Sequence, residues 1–315
     1  MKSFTVKQIL PFAAALLLAA CTSTDDGDGT GGENGVIGFR QPAVSRAAIT
    51  DASQVNAFSV WGHRIPSGGG EVSVLFDGAK VYRSGNGWTY DDAPKYWAAG
   101  YVHRFVGLYP DGQQANTKVA SDGTLTLTGF TATGDVDLMT AAVTYDTDAS
   151  VTPPAVQMPF GHELSRVQLV VKTDQGVTAT ITRAVLYGMS NTGTLTRPLS
   201  ETASWSGLDE PTTSGNTPFK NETPVTLQPA STATLWDGLL LIPQSTSGLK
   251  LDITLQRSGG QSSTETVTLN NPARWAAAQS YRYVLTIEAD AITFGGFTVP
   301  DWGETNTGGN INIGK

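Results

Sequence analysis

Side chains that could do chemistry are sparse in this chain, and their positions say more than their number. Cys21 is the only cysteine in 315 residues. It follows Leu18-Ala19-Ala20 and precedes an acidic, Gly-rich stretch. With no second cysteine it cannot form an internal disulfide. His63, His103 and His162 share no His-x-x-x-His spacing, and no cysteine stands near them, so a metal site is not expected and structural roles are. Asp135-x-Asp137 lies beside an apolar strand, but it lacks the acidic density of a calcium loop. There is no Gly-x-Ser-x-Gly elbow and no phosphate loop. Glycosidase-type carboxylate pairs come from distant strands, and nothing here marks such a pair. No catalytic residue and no cofactor is therefore expected. Trp61, Trp88, Trp97, Tyr101 and Tyr109 could stack on sugars, although core packing is the plainer reading of aromatic residues on strands.

The elements around Cys21 give it meaning. Lys2 and Lys7 precede an apolar run over residues 9–18, then come small residues and the cysteine. This is the layout of a secretory leader. The run is shorter than the roughly 20 apolar residues that span a bilayer. A cysteine at the cut makes residues 1–20 look like a bacterial lipoprotein signal, with Cys21 lipidated at the new N-terminus. Residues 21–35 then form a tether. The stretch TSTDDGDGTGGENG after Cys21 has no apolar side chain and cannot offset the entropy of ordering. Its acidic start, Asp25-Asp26-Gly27-Asp28, resembles the export signal that sends lipoproteins of Bacteroidetes to the cell surface.

The formal charge is −8, and the leader removes two lysines and no acid. An acidic chain gains nothing from neutralising phosphates, so nucleic-acid binding is not expected. Polybasic clusters for anionic lipid heads are also missing, which leaves the lipid as the means of attachment to an outer membrane. From residue 36 onward no amphipathic helix stands out. Short alternating or β-branched runs are separated by Gly, Asn, Asp and Pro. The cleanest is Leu249, Leu251, Ile253 and Leu255 against Lys250, Asp252 and Thr254, with residues 263–269 as its partner across Ser258-Gly259-Gly260. Residues 191–222 read as loop with one short strand near Trp205. Pro153, Pro154 and Pro159 break the pattern into two similar halves. The expectation is all-β: two tandem antiparallel β-sandwiches over residues 36–158 and 159–315.

Several local patterns then combine in order. They are the leader; Ile37-x-Phe39 followed by Ser45-Arg46-Ala47; Trp88 with Tyr96-Trp97; Phe105 through Tyr109-Pro110; and Asp137-Leu138-Met139-x-Ala141. Phe160-x-His162-x-Leu164-Ser165-x-Val167 follows, then Leu241-Ile242-Pro243-Gln244, Trp275, Tyr281-x-Tyr283, Ile292-x-Phe294 and Val299-x-x-Trp302. Together they resemble the fimbrillin family of Bacteroidetes lipoproteins over nearly the whole chain. The resemblance implies a structural subunit of a surface fimbria, built from two transthyretin-like sandwiches and supporting adhesion to a host protein or glycan. It implies a protease cut at Arg46-Ala47 and removal of a first strand carrying Ile37 and Phe39. A neighbouring subunit's C-terminal segment, here Ile311 and Ile313, would fill the vacated groove. The partners implied are other fimbrial subunits. The alternative is a surface glycan-binding lipoprotein that does not polymerise; an enzyme is not expected.

Overall fold

The computed structural model describes residues 35–44, 54–147 and 153–302. Among them there is no α-helix; strands are joined by turns, bends and short 3-10 turns such as Gln114–Asn116. The first nine strands are β1 (Ala43–Val44), β2 (Ala57–Pro66), β3 (Ser73–Ser84), β4 (Gly87–Tyr90), β5 (Tyr101–Tyr109), β6 (Thr117–Val119), β7 (Leu125–Thr131), β8 (Met139–Thr147) and β9 (Pro159–His162). Then come β10 (Ser165–Thr173), β11 (Ala179–Tyr187), β12 (Thr192–Arg197), β13 (Ser204–Ser206), β14 (Lys220–Asn221) and β15 (Val225–Leu227). The last five are β16 (Thr232–Leu241), β17 (Lys250–Arg257), β18 (Ser262–Thr268), β19 (Ser280–Ile287) and β20 (Ile292–Thr298).

Four sheets result. A seven-stranded sheet runs β1-β9-β8-β5-β2-β3-β4, and a four-stranded sheet runs β13-β12-β7-β6. A second pair consists of β16-β10-β19-β20 and β14-β11-β17-β18, with β15 also on β11. In the second pair the period-two pattern works as expected. Leu251, Ile253 and Leu255 of β17 point inward with Ile181 and Leu186, against Val167, Leu169 and Val171 of β10 and Tyr283, Leu285 and Ile287 of β19. The β17–β18 hairpin closes at Gly259, whose φ of +76° favours a glycine.

Two pairings depart from the all-antiparallel expectation. β10 and β19 are parallel, and so are β1 and β9. Parallel neighbours need a long crossover. Between β10 and β19 that crossover carries the whole of the facing five-stranded sheet.

The Pro-rich break does not coincide with a break in sheet pairing. β9, which starts at Pro159, pairs with β8 on one side and β1 on the other. The stretch read as loop, residues 191–222, in fact contains β12, β13 and β14, and the β12–β13 hairpin joins β7. Its apolar signal is thin because Leu195, Leu199, Trp205, Leu208 and Phe219 are its only large apolar residues and none of them alternate. Leu195 is fully buried and joins Leu125, Leu127 and Phe130 of β7 with Trp61, Val106 and Leu108 of the seven-stranded sheet. Leu164, Leu240, Ile242 and Trp302 enter the same cluster, so the two sets of sheets share one core.

The opposite face of the seven-stranded sheet depends on glycine. A Cβ at Gly107 would sit 2.8 Å from Met158 Cε and 3.1 Å from Phe160 Cζ. Gly107→Val is expected to cost about 1–3 kcal/mol through overpacking, read as a shift in the urea midpoint. Gly87→Ala, whose nearest neighbour would be 3.9 Å away, is expected to stay within about 0.5 kcal/mol of wild type.

Candidate functional site: a buried strand-like segment and its groove

The seven-stranded sheet is covered on both faces, and one cover is a short separate segment. On this face β2 presents Phe58 and Val60, β3 presents Phe76, β5 presents Phe105, β8 presents Met139 and Ala141, and β9 presents Phe160. Gly62 carries no side chain on this floor; a Cβ there would press within 2.7 Å of the Phe76 ring and 3.3 Å of the Phe105 ring. Over the floor lie residues 35–44. Ile37 is fully buried and Phe39 is 6% exposed. The Phe39 ring meets Phe76 at 5.7 Å, Phe58 and Tyr90 at 6.0 Å and Phe105 at 6.2 Å, all edge to face. That geometry is the favoured one for aromatic pairs.

The backbone of the segment is held on two rails. On one side the Ile37 N–H donates to Lys95 O at 2.7 Å and the Trp97 N–H donates to Gly35 O at 2.9 Å. On the other, the Val156 N–H donates to Gly38 O at 2.8 Å, and the N–H groups of Arg40 and Ala43 donate to Val156 O and Met158 O, each at 3.0 Å. β1 then continues in parallel register with β9, Ala43 opposite Pro159 and Val44 opposite Phe160. The Tyr90 hydroxyl donates to Ile37 O at 3.1 Å. Val36 and Phe39 thus make isolated bridges, to Tyr96 and Val156, and residues 37–39 form no regular strand.

The arrangement is an extended segment with main-chain bonds on both sides and two large apolar side chains in pockets, the pattern of strand addition to an exposed edge. Burying each such side chain is worth about 1.5–3 kcal/mol. Removing the segment would expose Phe58, Phe76, Phe105 and Phe160 together, an apolar patch that calls for a new cover.

The other sequence-singled residues fall as follows. Cys21, Arg46, Ala47, Ile311 and Ile313 lie outside the described residues. His103 accepts from the Ala98 N–H at 3.3 Å and packs on Trp97 at 4.9 Å, which braces the rail at residues 95–97. Its pKa is lowered, first by burial and then by the Arg64 charge. His63 is lowered likewise, by burial and Arg104. His162 and Asp137 bond to each other, Nδ1 to Oδ2 at 2.6 Å. Among the described residues no cluster of histidine and acidic groups could hold a metal ion. Trp61 is core, and Trp88, Trp97 and Tyr109 pack against the groove cluster. The Arg64 guanidinium covers the Tyr101 ring at 5.1 Å. These aromatics form no open stacking surface. Sequence reasoning missed the rail at residues 155–158. Its proline-flanked sequence has no strand signature, and only the fold places Val156 and Met158 beside Phe39.

Phe39→Ala is expected to lower stability by about 3–5 kcal/mol, the usual cost of a buried Phe, in equilibrium denaturation. Stability should also depend on acidity. His63 and His103 are neutral in the fold with depressed pKa values, so the stability they confer is present above about pH 6.5. It is lost as pH falls through the lower folded values. Urea midpoints between pH 7.5 and 5 are expected to fall, and to fall less in His103→Asn.

The fimbrillin-like family model matches residues 45–302. A fimbrial protein of Bacteroides vulgatus superposes with a TM-score of 0.56 at 18% identity, covering 85% of this chain and 99% of that one. A candidate cell adhesion protein of Bacteroides uniformis gives 0.50 at 16%, covering 86% and 99%. At these identities the likeness concerns the fold. No match is found among curated proteins. The family match covers most of the sequence and skips only the ends. The chain belongs to the fimbrillin-like family, whose members are structural subunits of cell-surface fimbriae rather than enzymes.

Proposed function

We propose that this fimbrial subunit assembles by donor-strand exchange and that residues 35–44 are the strand to be displaced. The observation that carries the reading is the segment's construction: two buried side chains, Ile37 and Phe39, on a backbone bonded along both edges. Such a segment is separable from the sheet it covers, and an equivalent strand from another chain can replace it.

The precursor is exported as an outer-membrane lipoprotein, acylated on Cys21. Cleavage between Arg46 and Ala47 separates residues 35–44 from the rest of the chain, and the lipid leaves with them. The donor is the C-terminal segment of a neighbouring subunit. Ile311 and Ile313 are two residues apart, as Ile37 and Phe39 are, so period two puts each pair on one face of its strand. Residues 303–309, GETNTGG, supply reach. The finished fibre supports adhesion at the cell surface. Two transthyretin-like units act in tandem within it, the first completed by β9 and the β12–β13 hairpin from beyond the proline break.

Purified precursor treated with an Arg-specific protease is expected to give a ladder of oligomers on unboiled gels. Arg46→Ala is expected to remain monomeric under the same treatment, and a full ladder from that variant would reject the processing step. Deleting residues 311–315 is expected to abolish the ladder while leaving the cleaved chain able to accept a donor from wild type. A ladder made by that deletion alone would reject the donor assignment. N-terminal sequencing of protein from cells is expected to begin at Ala47; acylated Cys21 alone would restore the lipid as a permanent anchor.

A further inference from the structure

β9 touches two features that lie far apart in sequence. Its outer edge pairs with β1, and its Phe160 ring packs 5.3 Å from Phe58 in the groove floor. Two residues later, His162 is fully buried and stacks on Trp302, ring centroids 4.4 Å apart at 27°. Trp302 is 4% exposed and is the residue from which the C-terminal segment departs. On its other side the imidazole is fixed by Asp137. Only two residues of β9, Gly161 and His162, pair with β8.

The clasp is buried but not fully satisfied. Asp137 Oδ1, His162 Nε2 and Trp302 Nε1 have no hydrogen-bond partner among the described residues. A buried polar atom left unpaired costs about 1–3 kcal/mol. Beyond the His162–Asp137 bond, the contact therefore depends on packing against neighbours that hold its parts in place. By contrast the adjacent Glu163 is tied to Thr140, to Arg197 at 3.2 Å and, through its backbone N–H, to Leu138 O at 2.8 Å. Firm attachment starts one residue beyond the clasp.

We propose that β9 couples the displaced segment to the root of the donor segment. While residues 35–44 occupy the groove, β9 is clamped between β1 and β8, and His162 holds Trp302. Loss of residues 35–44 makes β9 an edge strand held by a single short pairing. Its Phe160 keeps Phe58 but loses the pairing and cover of β1, His162 shifts, and Trp302 is released. The root of the C-terminal segment at Trp302 is thus loosened only after the chain's own groove has opened. His162 and Asp137 are positioning residues in this scheme, which rests on the displacement reading above.

The test is amide exchange on a full-length chain carrying an introduced protease site within residues 45–53 and lacking residues 311–315, so that cleaved chains stay monomeric. Cleavage and removal of the first strand are expected to speed exchange about tenfold at both residues 159–162 and residues 299–302. Unchanged protection at residues 299–302 would overturn the coupling. In the uncleaved chain, His162→Ala is expected to speed exchange at residues 299–302 while residues 36–44 keep their protection. Asp137→Asn, which preserves volume, is expected to do the same to a smaller extent. If both variants leave residues 299–302 as protected as wild type, the clasp is not the link. Assembly of the unmodified chain is scored separately. A ladder without coupled exchange rejects this inference alone, and coupled exchange without a ladder rejects the displacement reading.

Discussion

The packing of Phe39 among Phe58, Phe76, Tyr90 and Phe105 is the interaction on which the first set of sheets depends. A seven-stranded sheet with apolar side chains on both faces must be covered twice. One cover is the β13-β12-β7-β6 sheet, which is large and continuous. The other combines residues 153–158 with a ten-residue segment whose hold rests on two side chains and its backbone bonds. The glycines of the floor follow from this. Gly62 and Gly107 leave the depth into which the rings of Phe76, Phe105 and Phe160 settle. The floor is contoured around its cover, so an empty groove is an unstable surface rather than a neutral one.

The same constraint explains the second set of sheets. Its own core is complete between β10, β19, β11 and β17, and the buried Trp275 indole donates to the Tyr283 hydroxyl at 2.9 Å. It needs no borrowed strand. What it contributes to the first set is support: the β12–β13 hairpin, Leu240, Ile242 and Trp302 complete the cluster under the seven-stranded sheet. One set is thus self-sufficient and the other is finished by pieces from elsewhere in the chain.

Much of the fold was legible in the sequence because strands advertise themselves by period two. Leu251, Ile253 and Leu255 mark β17 without ambiguity, and Phe105, Gly107 and Tyr109 against Val106 and Leu108 mark β5, a strand buried on both sides. Ile37 and Phe39 were legible for the same reason, with the family pattern pointing to them. β12 and β13 were not, because Thr, Ser and Gly dominate them and one leucine and one tryptophan carry the burial. The rail at residues 155–158 was invisible, since its proline-flanked chain has no periodicity and is extended only because the groove edge pairs with it.

The sequence by itself determined the all-β class and marked Ile37 and Phe39 as an apolar pair on one face of a short segment. Each of these is a local matter of residue type and short-range spacing. Only the tertiary structure decided that sheets pair across the proline break, that β10 and β19 run parallel, and that His162 meets Asp137 and Trp302. Those pairings join residues 25, 114 and 140 positions apart or close to it, and no local pattern encodes them. They arise because a buried face accepts whatever complementary apolar surface the folded chain can bring to it, wherever in the sequence that surface lies.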